Sequence, residues 1–224
     1  SLDERLLHLY TNAARVDPAA FEADYNRGGC SFFRDFSADE QTPKRPYLHH
    51  PGLNEIARLH SADMRDRDYF AHDTLGGVNW YDRISPYYEG GALGENIAVG
   101  YADVYEAVFI GWMCSESGHR GAIMDGDLVD LGAGVADRYY TQDFGAGADQ
   151  PERFVAMAAH TQDGESLTFY ADFYDPDGIT PSVELVLGPA THAMNLTWGE
   201  ADRGVYSIML GAPPECAPYA VEVT

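Results

Sequence analysis

No stretch of this chain approaches the roughly 18 apolar residues that a membrane-spanning helix needs. Bases are scarce as well: 14 Lys plus Arg stand against 36 Asp plus Glu, a formal charge of −22 over 224 residues. Such a surface repels phosphate backbones and anionic headgroups, so neither nucleic acid nor direct insertion into a bilayer is an expected partner. The acids are scattered rather than run together, which describes solvated faces rather than a disordered tail or a calcium array. Only three cysteines are present, Cys30, Cys114 and Cys216. They show no C-x-x-C spacing, which excludes a Cys-rich structural zinc site. Also missing are the Gly-x-Ser-x-Gly elbow of serine hydrolases and the His-Glu-x-x-His helix of zinc proteases. No basic, apolar leader opens the sequence, but Ser1-Leu2-Asp3 is compatible with a processed start and does not argue against export.

What is present is globular. Apolar residues make up 45% of the chain and are broken throughout by Gly, Pro, Asp and Asn, a composition that can bury a real core. Leu2, Leu6, Leu9, Tyr10, Ala13 and Val16 recur at helical spacing until Asp17-Pro18 interrupts them, and residues 19–25 resume the pattern briefly. Leu53, Ile56, Ala57, His60 and Met64 form the apolar stripe of a second helix, on which His60 reads as a core residue. A third helix follows Asp103, with Val104, Ala107, Val108, Gly111 and Trp112 on one face. The Gly- and aromatic-rich segment 70–100 reads as loop with short strands at most, and 131–136 and 139–144 as two strands. A Gly/Ala/Pro stretch at 144–151 is the best linker. Beyond it, β-like runs at 154–159, 167–174, 183–187, 193–198, 205–210 and 219–223 suit a small sandwich.

Three segments carry a resemblance. They are His60-Ser-Ala-Asp-Met64 with Tyr69-Phe-Ala-His72; Gly94-Glu-Asn-Ile97; and Trp112-Met-Cys-Ser-Glu-Ser-Gly-His-Arg120 continuing to Ala122-Ile-Met124. Leu131-Gly-Ala-Gly-Val135 and Tyr140-Thr-Gln-Asp-Phe144 follow. In this order, over roughly residues 49–146, they resemble the CAP superfamily of cysteine-rich secretory, antigen 5 and pathogenesis-related class 1 proteins, in its bacterial SCP-like extracellular form. The resemblance implies a CAP-type α-β-α sandwich over 49–148; outside it, the helical periodicity adds an extension at 1–48 packed on that domain, for an α+β fold. A small all-β, sandwich-like domain at 152–224 follows.

The resemblance also implies a cleft lined by two histidines and two acids, matched here by His72, His119, Glu95 and provisionally Glu116, with Glu106 as fallback for the fourth. Two neutral imidazoles can hold a divalent ion, zinc first and calcium or magnesium as alternatives, with the acids orienting the rings. Because zinc is held firmly by three or four protein ligands, His72 and His119 imply an open site completed by water. The same atoms could instead form a hydrogen-bonded network that shapes a cleft. The implied function is non-enzymatic binding, outside the cell or in its envelope, of a small hydrophobic molecule, a wall component or a protein, by a monomer. A metal-dependent hydrolase using the same cleft is the alternative. Under export, a Cys30–Cys114 bridge with Cys216 left over is the expected pairing; three buried thiols is the other reading.

Overall fold

A computed structural model describes residues 1–25, 30, 36–115, 118–147, 153–213 and 217–224. Glu116, Cys216 and the 148–152 portion of the expected linker lie outside the described residues. The helices are α1 (Leu2–Val16), α2 (Pro18–Tyr25), α3 (Pro51–Asp66), α4 (Trp80–Ile84), α5 (Val104–Glu106) and α6 (His119–Met124). A 3₁₀ turn (Ser85–Tyr87) extends α4, and a π-helix (Ala107–Trp112) continues α5. The first sheet comprises β1 (Leu48–His49), β2 (Leu93–Val99), β3 (Asp130–Ala136) and β4 (Tyr139–Gly145) in the order β1-β3-β4-β2. Only the β1–β3 pair is parallel.

The expected sandwich follows from the alternation along β3. Leu131 and Ala133 point into the core that α1 closes, whereas Gly132 and Gly134 face α3. A Cβ on Gly132 would lie 2.0 Å from the Leu53 carbonyl carbon, and one on Gly134 2.2 Å from that of Ala57. The helix backbone therefore rests directly on the sheet. Pro51 starts α3, and the ring of His50 caps it by accepting from the Leu53 N–H at 3.2 Å. Gly134→Ala should push α3 off the sheet and cost about 1–3 kcal/mol, as overpacking does. Urea unfolding measures it, and an unchanged midpoint would contradict so close an approach.

Two expectations shift. The 70–100 segment holds α4 and the whole of β2, a seven-residue strand rather than a loop. The third helix is α-helical for only three residues, after which the backbone steps widen, with the Met113 N–H reaching the Val108 carbonyl at 2.9 Å. This wider turn seats the Trp112 indole N–H on the Ile97 carbonyl of β2 at 3.1 Å.

Seven strands follow: β5 (Ala158–Asp163), β6 (Ser166–Tyr174), β7 (Val183–Leu187), β8 (Ala190–Ala193), β9 (Asn195–Glu200), β10 (Arg203–Gly211) and β11 (Tyr219–Val223). They form sheets β5-β6-β10-β9 and β11-β7-β8. Phe169, Phe173 and Tyr206 of one meet Val183 and Leu185 of the other in a common apolar layer, the face-to-face packing of a sandwich. The expected run at 193–198 divides into β8 and β9. The run at 154–159 begins later, leaving Phe154 as an isolated bridge to Tyr174. Asp175-Pro-Asp-Gly178 is a turn in which the Asp175 carboxylate accepts from the Asp177 N–H at 2.8 Å.

Helix α1 is buried on nearly every side. Leu6, Leu9, Tyr10 and Ala13 share one core with Leu131 and Ala133 of β3 and with Ala159 and Val205 of the C-terminal strands. Asn12 binds the Tyr47 backbone at both ends, donating to its carbonyl at 3.1 Å and accepting from its N–H at 2.7 Å. The same amide donates to Asp172 of β6 at 2.6 Å. Cys30 and Cys114 are bridged, 84 positions apart in sequence, tying the segment after α2 to the end of the π-helix. Cys114 thus has no thiol with which to act as a nucleophile beside His119.

Candidate functional site

The open edge of the first sheet is β2, and its residues alternate about that edge. Glu95 turns toward the α3–α4 side, where His72 and Arg83 meet it. Asn96 turns to the other side and donates to the His119 carbonyl at 3.1 Å and to Gln142 at 3.0 Å, which pins the start of α6 to the strand. Gly118 precedes His119 with a φ of 99°, a left-handed turn that glycine adopts without strain. His72, Glu95 and His119 consequently line one cleft of about 440 Å³, together with Asn96, Gly118, Trp80, Leu93, Gly94 and Ala122. Glu116 lies outside the described residues. The fallback acid, Glu106, sits elsewhere: its carboxylate accepts from the Ala102 N–H at 2.9 Å while Asp103 accepts from the Glu106 N–H, a capping arrangement for α5.

The hydrogen bonds fix how each group can act. His72 Nδ1 is 2.7 Å from Glu95 Oε1, and Arg83 Nη2 takes Oε2, so both carboxylate oxygens are engaged. His119 Nδ1 is 2.9 Å from Ser115 Oγ. Neither ring's Nε2 takes part in a hydrogen bond among the described residues, which leaves two imidazole nitrogens available at the cleft. Burial pushes Glu95 up, but the His72 hydrogen bond and the Arg83 charge outweigh it and hold the carboxyl below the usual range. Burial, with a smaller contribution from the neighbouring His72, holds His119 below the ordinary histidine value and so favours its neutral, ligating form.

Behind Glu95 lies a set of groups that motif spacing did not reveal. Arg83 of α4 is almost fully buried, and Nη1 stands 3.9 Å from Asp143 Oδ2. Asp143 is the cross-strand partner of Glu95 and has no exposure. His60, read from sequence as a core residue, is buried, with Nε2 3.1 Å from the Ala71 carbonyl and 4.0 Å from Glu95 Oε2.

Would a zinc ion fit? The pair His72 and His119 offers the right atoms with oriented rings, but no group of three or more His, Cys, Asp or Glu donors stands together among the described residues. Two ring nitrogens are fewer than the three or four protein ligands that hold zinc firmly, so an ion there would need water or a further donor to complete its coordination.

Among known proteins, the chain is 42% identical over 91 residues to the uncharacterized membrane protein YlbC of Bacillus subtilis (strain 168), a match that covers 40% of this chain and 26% of that one. The chain thus spans about a quarter of that relative. A solved extracellular protein containing an SCP domain, from Bacillus anthracis, is 34% identical, covering 46% of this chain and 34% of that one with a TM-score of 0.43. A solved outer surface protein of Borrelia burgdorferi is 17% identical, covering 66% of this chain and 96% of that one with a TM-score of 0.44. The sequence model of the CAP family, described as the cysteine-rich secretory protein family, matches residues 10–157, a range that opens within α1 and ends just before β5. By that match, which takes in both helical layers and the sheet between them, the chain belongs to the cysteine-rich secretory protein (CAP) family.

Proposed function

We propose that the cleft binds a small ligand with an apolar body and a polar group, outside the cell, and that a zinc ion on His72 and His119 modulates this binding. One observation carries the choice of binding over hydrolysis. Glu95, the carboxylate nearest the histidines among the described residues, has both oxygens engaged, by His72 and Arg83, and is held below the usual carboxylate range, which makes it a weak general base. The lining supports an apolar guest: Trp80, Leu93 and Ala122 stand beside His72, Asn96 and His119. Phe70, Leu75, Val78 and Tyr81, on the segment that carries His72, expose about half of their surface around it. An extracellular setting is supported by the Cys30–Cys114 disulfide, which persists in oxidising compartments. No helix among the described residues is long and apolar enough to cross a membrane.

Calorimetric titration with zinc at pH 7.5 should show binding by the wild type and none by the His72→Ala/His119→Ala double variant. Binding should weaken at pH 5.5, because an imidazole must lose its proton to ligate. Equal binding by both proteins would move any metal elsewhere on this acidic surface. A neutral naphthylamine dye should brighten on wild-type protein, and Trp80→Ala should weaken its binding at least about tenfold, equivalent to the loss of ~1.4 kcal/mol of apolar contact. An unchanged affinity would remove the apolar guest from the cleft.

A further inference from the structure

Asp143 poses a chemical problem that the cleft alone does not solve. Its carboxyl is wholly buried, and neither oxygen has a hydrogen-bond donor among the described residues. The groups that face it are Glu95 from β2 and Arg83 from α4, with His60 of α3 4.0 Å from Glu95 Oε2, while its partner on β3, Gly132, offers no side chain. Arg83 gives Asp143 charge but no hydrogen bond: its Nη2 is taken by Glu95, and its Nη1, which has no hydrogen-bond partner among the described residues, stands 3.9 Å from Asp143, an ion-pair distance too long for a hydrogen bond. A buried carboxylate with no donor is strongly disfavoured, and such a group neutralises instead. Glu95 and Asp143 stand directly opposite each other on adjacent strands, so their carboxyls share one face of the sheet, but two carboxylates are both acceptors. One proton resolves this.

We propose that Asp143 is held as the neutral acid and donates its proton to the Glu95 carboxylate, making it a positioning residue for the Glu95–His72 pair at the cleft. Glu95 then receives Asp143, Arg83 and His72 together, and its orientation fixes the tautomer and direction of the His72 ring. Glu95 and Arg83 carry opposite charges, so with Asp143 neutral the set has no net charge behind the histidine. Burial, followed by the adjacent Glu95 charge, pushes Asp143 well above the usual carboxylate range, in agreement with the geometry. The consequence for ligand binding rests on the cleft reading above; the protonation state does not.

The two are separable by experiment. Asp172 is also pushed up, to about 7, so infrared spectra are best recorded at pH 8, where that acid is ionised. The carbonyl stretch of a protonated carboxylic acid should appear in the wild type and in Asp172→Asn and disappear in Asp143→Asn. Its absence from the wild type overturns the proposal, whether or not the Asp143 variant folds. Asp143→Leu, which has no donor, should weaken zinc binding about tenfold or more while Asp143→Asn retains it, the size typical of lost outer-shell support. If the wild type shows the infrared band but binds no zinc, the metal reading fails and the protonated pair stands.

Discussion

Reduction of the Cys30–Cys114 bridge should lower the unfolding free energy by about 4.5 kcal/mol, the chain-entropy value for a loop of this length. The two cysteines lie 84 positions apart, and their closed loop contains α3, α4, β2 and the π-helix, so the unfolded chain loses much of its freedom when they are joined. Urea unfolding with and without a phosphine reductant measures the difference. Thiol titration of unfolded, non-reduced protein should find one reactive cysteine, Cys216, and three after reduction. Three thiols before reduction, or a midpoint that ignores the reductant, would contradict the bridge in solution.

A second large effect is hidden in the wild type by cancellation. Asp172 is wholly buried, and burial, against its hydrogen bonds from Asn12 and the Met157 N–H, raises it from 3.8 to about 7. The native state keeps this proton where the unfolded chain has lost it, so the stability it confers is full below pH 4 and drains away as pH rises to about 7. His8, also wholly buried, is lowered by burial from 6.5 to about 3. The unfolded chain takes up a proton that the native state refuses, so this contribution is full above pH 6.5 and is lost as pH falls toward 3. Each is worth roughly 4 kcal/mol at about 1.36 kcal/mol per pH unit, with opposite sign over most of the same window. Asp172→Asn should therefore gain stability relative to wild type by roughly 4 kcal/mol between pH 4 and 7. His8→Gln should gain by a similar amount, about 4 kcal/mol, as pH falls from 6.5 to 3. Taking each variant against wild type at every pH removes the groups they share. Parallel curves for either variant would show that the residue it replaces titrates normally in the fold.

Periodicity made α1 and α3 legible, because each carries one long apolar stripe, and the C-terminal strands were legible because turn residues separate them. Motif order brought His72, Glu95 and His119 to one cleft. Strand β2 was illegible: Gly94-Glu95-Asn96 looks like loop, since its polar side chains find partners on both sides of a sheet edge rather than in solvent. Arg83 and Asp143 escaped for a related reason. A charge reads as solvated until the register that sets Asp143 opposite Glu95 is known. The π-helix was invisible because apolar spacing reports which face is buried, not which carbonyl each N–H meets. Glu106, by contrast, is readable as part of a cap from its three-residue spacing to Asp103.

Helix α1 has a consequence for the order of events during synthesis. Its Asn12 bonds to Asp172, 160 residues later, and Asp17 accepts from the Gly199 N–H, 182 residues later. At about 5–20 residues per second, the ribosome needs on the order of ten seconds or more to deliver those partners after the helix has emerged. For that interval the face of α1 destined for Ala159 and Val205 has nothing to cover it. A chain built this way stays incomplete until nearly its last strands are made, so the fold closes only after most of the chain has been synthesised.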